Sequence, residues 1–473
     1  MRTLLLASSL VLLGCGTRSA YPGAPPPPDG SFRDVVVTAE ATDLDVRGAA
    51  SLDDGAVAVL VCVRGSGGPF PDGGAIAKLD RGGRFVAHAK TEACDSARLV
   101  RAGNDLVVAR NSGDRGLELA WTRFDSGLAR KAEGKAPVAG AITAIAGRDD
   151  GAIVVSSLAD YYSTEAGAEL AVIGSDGKDL ARARILGRDV RVSAIMPDGD
   201  GVVATGLLRG EGKLDELTMA PKGEAAFVLR AFGGKRWVRT LGAPGVSTVS
   251  YLAPRITKVG AHYVVGWSVS SSGQKLPGPD LEKLGGTPGT GHHLLLARLD
   301  AEGVVVGGRT EAAQPFDGIL ALQPLPDGSL LEHGRRDRHF EAHSRCGDEH
   351  GCVYEGGPEA YGTVHRLVVR RRDAITLAPL GTTTVDGEMR LGGLHVLYVP
   401  SLASIVALGA FTGTIDLPRG SVTSPRTERR DCQDGPRSSE VRGPWLASSP
   451  PPDPCQLRMK QHGALFGVRL SVQ

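Results

Sequence analysis

AVAVLVCV, residues 56–63, runs directly out of the turn Asp54-Gly55, and its pattern returns six times along the chain. The counterparts are DLVVARN (105–111), AIVVSSL (152–158), GVVATGL (201–207), HYVVGWS (262–268), SLLEHGR (329–335) and SIVALGA (404–410). Each is a short apolar or β-branched run bounded by turn residues, the pattern of a strand buried on both faces. A second series follows: AIAKLDRGG (75–83), ELAWTRFDSG (118–127), ELAVIGSDG (169–177), AFVLRAFGG (226–234), LLLARLDAEG (294–303), HRLVVRRRDA (365–374) and ALFGVRLSVQ (464–473). Asp54-Gly55, Asp150-Gly151, Asp176-Gly177 and Asp327-Gly328 sit at the bends, where tight hairpins demand a residue that accepts positive φ. No stretch of comparable length carries the i, i+3, i+4, i+7 period of a helix. The fold class is all-β.

The turns at Asp54, Asn104, Asp150 and Asp198 recur about every 48 residues, room for four short strands per unit. Seven units fit between residue 43 and the C-terminus. Four-stranded antiparallel units in that number predict a seven-bladed β-propeller, with the blades stacked around an axis. The last unit ends after its third strand, whereas a spare strand candidate, residues 34–41, precedes the first. That N-terminal strand is expected to complete the seventh blade and close the ring, hiding edges that would otherwise invite aggregation.

Composition agrees. The 65 glycines in 473 residues are about twice ordinary usage, but Gly and Pro together stay below the roughly 25–30% of low-complexity chains. Some 28 strands need that many turns. A hydrophobic content of 41% can fill a core, which excludes global disorder. With Lys+Arg 54 against Asp+Glu 53, no overall field steers the protein toward nucleic acid or an anionic membrane, and nucleic acid is not an expected partner.

Two segments, GAFTGTIDLPRG (409–420) and FVLRAFGGKRWVRTLGAPG (227–245), resemble the repeats of bacterial seven-bladed propeller proteins, with weaker matches in the other third strands. The resemblance covers about half the chain and implies the same propeller architecture. That family is defined by architecture and shares no catalytic set, so it implies no activity.

The N-terminus reads MRTLLLASSLVLLGC: Arg2, an apolar stretch from Leu4 to Leu13, then Gly14 and Cys15. The stretch is too short to span a bilayer, which takes ~20 apolar residues, but has the form of a secretory h-region. Leu12-Leu13-Gly14-Cys15 resembles the lipobox of bacterial lipoproteins. That resemblance implies a signal peptide over 1–14, lipidation of Cys15, and attachment by several acyl chains, stable where one is marginal. Gly16 in place of Asp implies the outer membrane. Residues 15–33 hold the lipidated cysteine and a Pro-rich linker, AYPGAPPPPDGS (20–31), extended at ~3.1 Å per residue where polyproline-like. Residues 34–473 then form a single propeller domain. The expected address is the cell envelope, with the chain a monomer and the membrane its partner through the anchor.

Export turns the six remaining cysteines into disulfide candidates. Pairing by neighbours gives Cys62–Cys94, Cys346–Cys352 and Cys432–Cys455, one connectivity among those that six cysteines permit. His339, His343 and His350 surround Cys346 and Cys352 and are the metal-like cluster of the chain. In an oxidising compartment those two cysteines pair first, so no metal site is assigned. No cofactor is expected.

Strands alternate in direction, so every connection from second to third strand leaves on the face of the blade-to-blade links. The three longest connections, 269–292, 336–363 and 411–463, fall there in consecutive blades. Long loops in compact folds are functional or disordered, and repeat folds gather insertions on a binding face. No G-x-S-x-G, H-E-x-x-H, Walker or dinucleotide fingerprint occurs, and no catalytic residue is assigned. Gly210-Glu-Gly-Lys213 lacks the spacing of a phosphate loop, and Asp198-Gly-Asp200 reads as turn chemistry. Arg370 to Arg372 read as an exposed edge or turn; Trp121, Trp237 and Trp267 read as packing between blades. Three functional readings remain: a lipid-anchored scaffold binding an envelope protein or glycan through loops on one face; a propeller hydrolase or lyase acting on carbohydrate or a lactone; and a purely structural envelope protein.

Overall fold

The computed structural model describes residues 35–38, 43–64, 73–92, 94, 96–113, 116–159, 167–187, 189–221, 224–242, 246–248, 253–271, 291–313, 317–336, 344–347, 351–354, 363–390, 394–417, 420–424, 426–432, 455–461 and 464–470. Blade 1 is a four-stranded antiparallel sheet of Asp43–Ser51, Val57–Arg64, Gly73–Leu79 and Phe85–Thr91. The inner strands of blades 2 to 7 are Arg98–Ala102, Gly140–Gly147, Arg191–Asp198, Arg255–Val259, Gly318–Pro324 and His395–Val399. Each inner strand neighbours the next, and that of blade 7 returns to that of blade 1, so the ring is closed. The protein is a seven-bladed β-propeller. Among the described residues one turn of 3₁₀ helix, Pro400–Leu402, precedes the second strand of blade 7.

Blade 7 joins both ends of the chain. Its inner three strands are His395–Val399, Ser404–Leu417 and Ala464–Leu470; the outer one is Val35–Thr38, in register from Val35 opposite Gly467 to Thr38 opposite Ala464. The predicted closing strand is therefore present over Val35–Thr38; the rest of the 34–41 read from sequence lies outside the described residues.

Among the described residues the core divides into seven apolar clusters, one in each gap between blades. This follows from strand geometry: alternate side chains point to opposite faces, and both faces of a blade meet a neighbour. Trp121, Trp237 and Trp267 are all buried in such gaps. Trp237 of blade 4 lies across the blade 5 turn at Gly303 and donates to the Ala301 carbonyl at 3.0 Å. Trp121 of blade 2 packs its ring against the blade 3 turn at Gly177, without a hydrogen bond from its indole nitrogen to the described residues.

One face carries minimal turns. Between first and second strands Gly55 takes φ +80°, and Asp54 Oδ1 accepts from the Ala56 amide at 3.0 Å. Between third and fourth strands a single aspartate oxygen accepts from two amides: Asp80 from Gly82 and Arg84, Asp125 from Gly127 and Ala129, Asp300 from Glu302 and Val304. Toward the axis another glycine is needed for a different reason. A Cβ on Gly48 would lie 2.8 Å from the Leu99 backbone nitrogen, because inner strands converge there.

Two expectations need correcting. Arg372 is fully buried and Arg370 nearly so, not on an exposed edge. Also, residues 411–417 are not loop: the second strand of blade 7 continues to Leu417, with Phe411 and Ile415 in the core between blades 6 and 7.

Candidate functional site

The opposite face is elaborated in several consecutive blades. In blade 4 the second-to-third connection forms a hairpin, Gly212–Leu214 with Leu217–Met219, which adds to the outer strand of blade 3. In blade 6 it forms Ser344–Gly347 with Gly351–Tyr354, and in blade 7 Arg426–Cys432 with Cys455–Gln461. In blade 5 the second strand ends at Ser271 and the third begins at Gly291 on this face; residues 272–290 lie outside the described set. Sequence reading missed the blade 4 hairpin, because arms of three residues are too short to show alternation. Its first arm is the Gly212-Lys213 dismissed as a phosphate loop.

Cysteine positions follow the neighbour scheme as far as the structure describes them. Cys62 and Cys94 form a disulfide, Cα atoms 5.5 Å apart, tying the second strand of blade 1 to the link into blade 2. Backbone register sets Cys346 opposite Cys352 and Cys432 opposite Cys455. Cys15, the signal peptide, the linker and His339, His343 and His350 lie outside the described residues. Among the described residues no group of His, Cys, Asp or Glu is placed to hold a metal, and no helix is long and apolar enough to cross a membrane.

A site that no motif announced lies at the axis, on the elaborated face, where the inner strands begin. One rung of the ladder can be followed around the ring through the second-strand residues Leu60, Ala109, Ser156, Thr205, Gly266, His333 and Leu408. In blades 1, 3, 4 and 6 the register slips at this rung, leaving Arg47, Thr143, Ser193 and Leu320 as bulge residues. In blades 2, 5 and 7 the inner strand starts at the same rung, with Arg98, Arg255 and His395. A bulge leaves an extra residue outside the ladder, with its peptide groups in need of partners.

The long basic residues meet that need. Arg255 of blade 5 donates through Nε to the Leu320 carbonyl at 2.7 Å and through Nη1 to the Ser193 carbonyl at 3.1 Å. It thus joins the bulges of blades 6 and 4. Ser193 Oγ donates in turn to the Pro254 carbonyl at 2.7 Å. The His395 imidazole of blade 7 bonds the backbone of Val46, next to the blade 1 bulge.

The electrostatics are one-sided. Arg47 is paired with Asp45 at 2.9 Å, but among the described residues neither Arg98 nor Arg255 meets a carboxylate within ion-pair distance. Burial lowers the Arg255 pKa to about 10, which leaves it charged at neutral pH. Burial, then repulsion from Arg47, lowers that of Arg98. Burial also holds His395 at about 4 and its neighbour His333 at about 3, so both are neutral at pH 7. Arg47, Arg98, Arg255 and His395 remain partly open to solvent. Arginines of blades 5, 1 and 2, with the neutral imidazoles of blades 6 and 7 between them, form an arc that can attract and hold an anion.

A second charged cluster lies off the axis, between blades 5 and 6. Arg372 is paired with Glu332 at 2.5 Å and bidentately with Glu311 at 2.7 and 3.0 Å, and it also donates to the Leu377 carbonyl. Arg370 reaches the same two glutamates. Asp198, read as turn chemistry, accepts from Lys258 and Tyr263 of blade 5 and binds Arg230, and so ties blade 4 to blade 5.

No family model and no curated protein matches the chain. Solved structures do. The structure of U3-55K covers 78% of this chain and 90% of its own, at 12% identity and a TM-score of 0.42. The RRP9 WD40 repeats cover 79% and 92%, at 10% identity and a TM-score of 0.43. The β-propeller domain of the Trilobed protease from Pyrococcus furiosus covers 78% and 92%, at 10% identity and a TM-score of 0.43. The class of this protein is thus the β-propeller, established by its own strand pairing, and function must be argued from its own residues.

Proposed function

We propose that this chain is an exported bacterial lipoprotein whose propeller serves as a binding scaffold of the cell envelope. In this reading Cys15 carries the lipid at the outer membrane, residues 15–33 hold the ring away from the bilayer, and the elaborated face engages an envelope protein or glycan. The observation that carries it is the asymmetry of the two faces. One has turns satisfied by a single aspartate; the other bears extra hairpins in blades 4, 6 and 7 and a long connection in blade 5. Stabilising a ring calls for no such difference, whereas recognition does.

Cross-strand placement of Cys346 with Cys352 and of Cys432 with Cys455 supports disulfides that staple both hairpins. The enzyme reading required paired carboxylates or a metal at the axis. The described rung there offers arginines, two histidines and hydroxyls instead.

The test is to replace 337–362 and 425–462 by short Gly-Ser links, sparing the core strand through Leu417. Cross-linking to envelope components should be lost while the β-sheet circular dichroism stays unchanged; retained cross-linking overturns the scaffold reading. Separately, Cys15→Ala should abolish acyl labelling and release the protein from membranes.

A further inference from the structure

The inner rung raises a question that loops and anchor leave open: what balances its charge. Arg98 and Arg255 bring two guanidiniums to the axis; among the described residues neither is in an ion pair, and the Asp45 carboxylate that acts on Arg98 from beyond ion-pair distance is already paired with Arg47. Arg255 is engaged by three backbone carbonyls, Leu320, Ser193 and Pro254, so part of its role is to satisfy bulges. Arg98 has no such duty. Its recorded acceptor is the carbonyl of Ala97, its own neighbour, and its side chain is partly open.

A second observation is independent of charge. His333 is 4% exposed, yet its Nδ1 has no partner among the described residues; Nε2 of His395 has none either. Buried polar atoms are normally satisfied, and an orphan beside a cationic opening marks a place where something else binds. Both imidazoles are neutral at pH 7, so their free nitrogens suit a ligand that offers a proton.

We propose that the axial opening on the elaborated face binds a small oxyanion that still carries a hydroxyl, such as hydrogen phosphate or a hydroxycarboxylate, with Arg98 as its principal anchor. The guanidinium holds the anionic oxygens in a forked pair of charge-assisted bonds. Arg255 and Arg47 supply field, concentrated by the low-dielectric walls of the ring. His395 and His333 accept from the hydroxyl. The site is built from the propeller's own inner strands and the second strand of blade 6, so it stands whether or not the loops above it bind a partner.

The test is calorimetric titration of the intact chain with inorganic phosphate, sulfate and glycolate at pH 7.5 and low ionic strength. Phosphate and glycolate should bind saturably, and phosphate at least about tenfold tighter than sulfate, which has no proton to give. Arg98→Gln should weaken phosphate by roughly 10–100-fold, the range for a lost charge-assisted pair. Arg371→Gln, at the far end of a third strand and paired with Asp327, should change nothing. Saturable binding by none of the three anions overturns the site, as does an Arg98→Gln protein that binds phosphate like the parent. Sulfate held as tightly as phosphate overturns the role given to the imidazoles. Arg98→Lys, which keeps the charge but not the fork, should recover only part of the affinity.

Discussion

Arg372 and Arg255 are both arginines enclosed by protein, about one blade apart, and they have opposite environments. Burial alone would lower the pKa of each. At Arg372 the bonds and charges of Glu311 and Glu332 more than offset burial and raise it; at Arg255 nothing offsets burial, and it falls to about 10. The off-axis cluster sets Arg309, Arg370 and Arg372 against two glutamates, with Arg372 bidentate on Glu311 and fully buried. Such a network locks two blades together and has no spare capacity. The axial arc leaves imidazole nitrogens of His333 and His395 without partners among the described residues, and Arg98 and Arg255 outside any ion pair there. A fold holds an unbalanced cation only where solvent or a ligand reaches it, and the partly open arginines of the rung meet that condition.

Breaking the off-axis cluster should have the largest effect on stability. Arg372→Met leaves Glu311 and Glu332 facing each other with less compensation, and removing one partner of a buried pair costs about 3–5 kcal/mol. Chemical denaturation of the parent and variant measures this. Glu332→Gln in the Arg372→Met background should restore part of the loss, because it removes an orphaned charge.

Acid should separate the two regions by pH window. Arg372, against the opposing effect of burial, holds Glu311 at about 2, below its ordinary 4.5. A depressed carboxyl favours the fold above the unfolded pKa, so that contribution, roughly 3 kcal/mol, is lost as pH falls from 4.5 toward 2. His333 and His395 are depressed from 6.5 to about 3 and about 4. Their contribution is full above 6.5 and is lost as pH falls through 6.5 toward those values. Stability should thus begin to decline near pH 6.5 and steepen below 4.5. His333→Gln should flatten the upper limb and Arg372→Met the lower. A single unaltered limb in both variants would refute the assignment.

The same contrast explains what could be read in advance. Short-range chemistry was legible: Asp54-Gly55 and its relatives announce turns, the runs after them announce buried strands, and the unpaired 34–41 announces closure. Cys62 and Cys94 needed only counting and a compartment. Arg370 to Arg372 misled because their partners stand far off in sequence; Glu332 and Glu311 are 40 and 61 residues from Arg372. The axial rung escaped notice for a related reason. A bulge is a property of register between two strands, and Arg47, Ser193 and Leu320 share no residue type. The available signal was positional: in the three blades without the bulge, the inner strand opens on Arg98, Arg255 or His395.

Loss of Arg255 should cost less than loss of Arg372. Arg255→Met removes the donor to the Leu320 and Ser193 carbonyls, worth about 1–3 kcal/mol for groups left unsatisfied, but also relieves the cost of burying the guanidinium. Its denaturation midpoint should fall between those of the parent and Arg372→Met.

The smallest stability effect belongs to Arg98→Gln. Its recorded bond is local, its side chain is partly open, and Arg47 is a neighbouring like charge, so the change should lie within about 0.5 kcal/mol of zero. Relief of repulsion gives it a chance of being stabilising. That near-neutrality sharpens the contrast with Arg372. An arginine that matters to the fold reveals itself by denaturation, whereas one that serves a ligand leaves the denaturation curve in place and alters the titration with phosphate. Arg98→Gln unfolding several kcal/mol more easily than the parent would assign the axial arc to stability, as with the off-axis cluster. An unmoved curve with weakened phosphate binding would assign it to recognition.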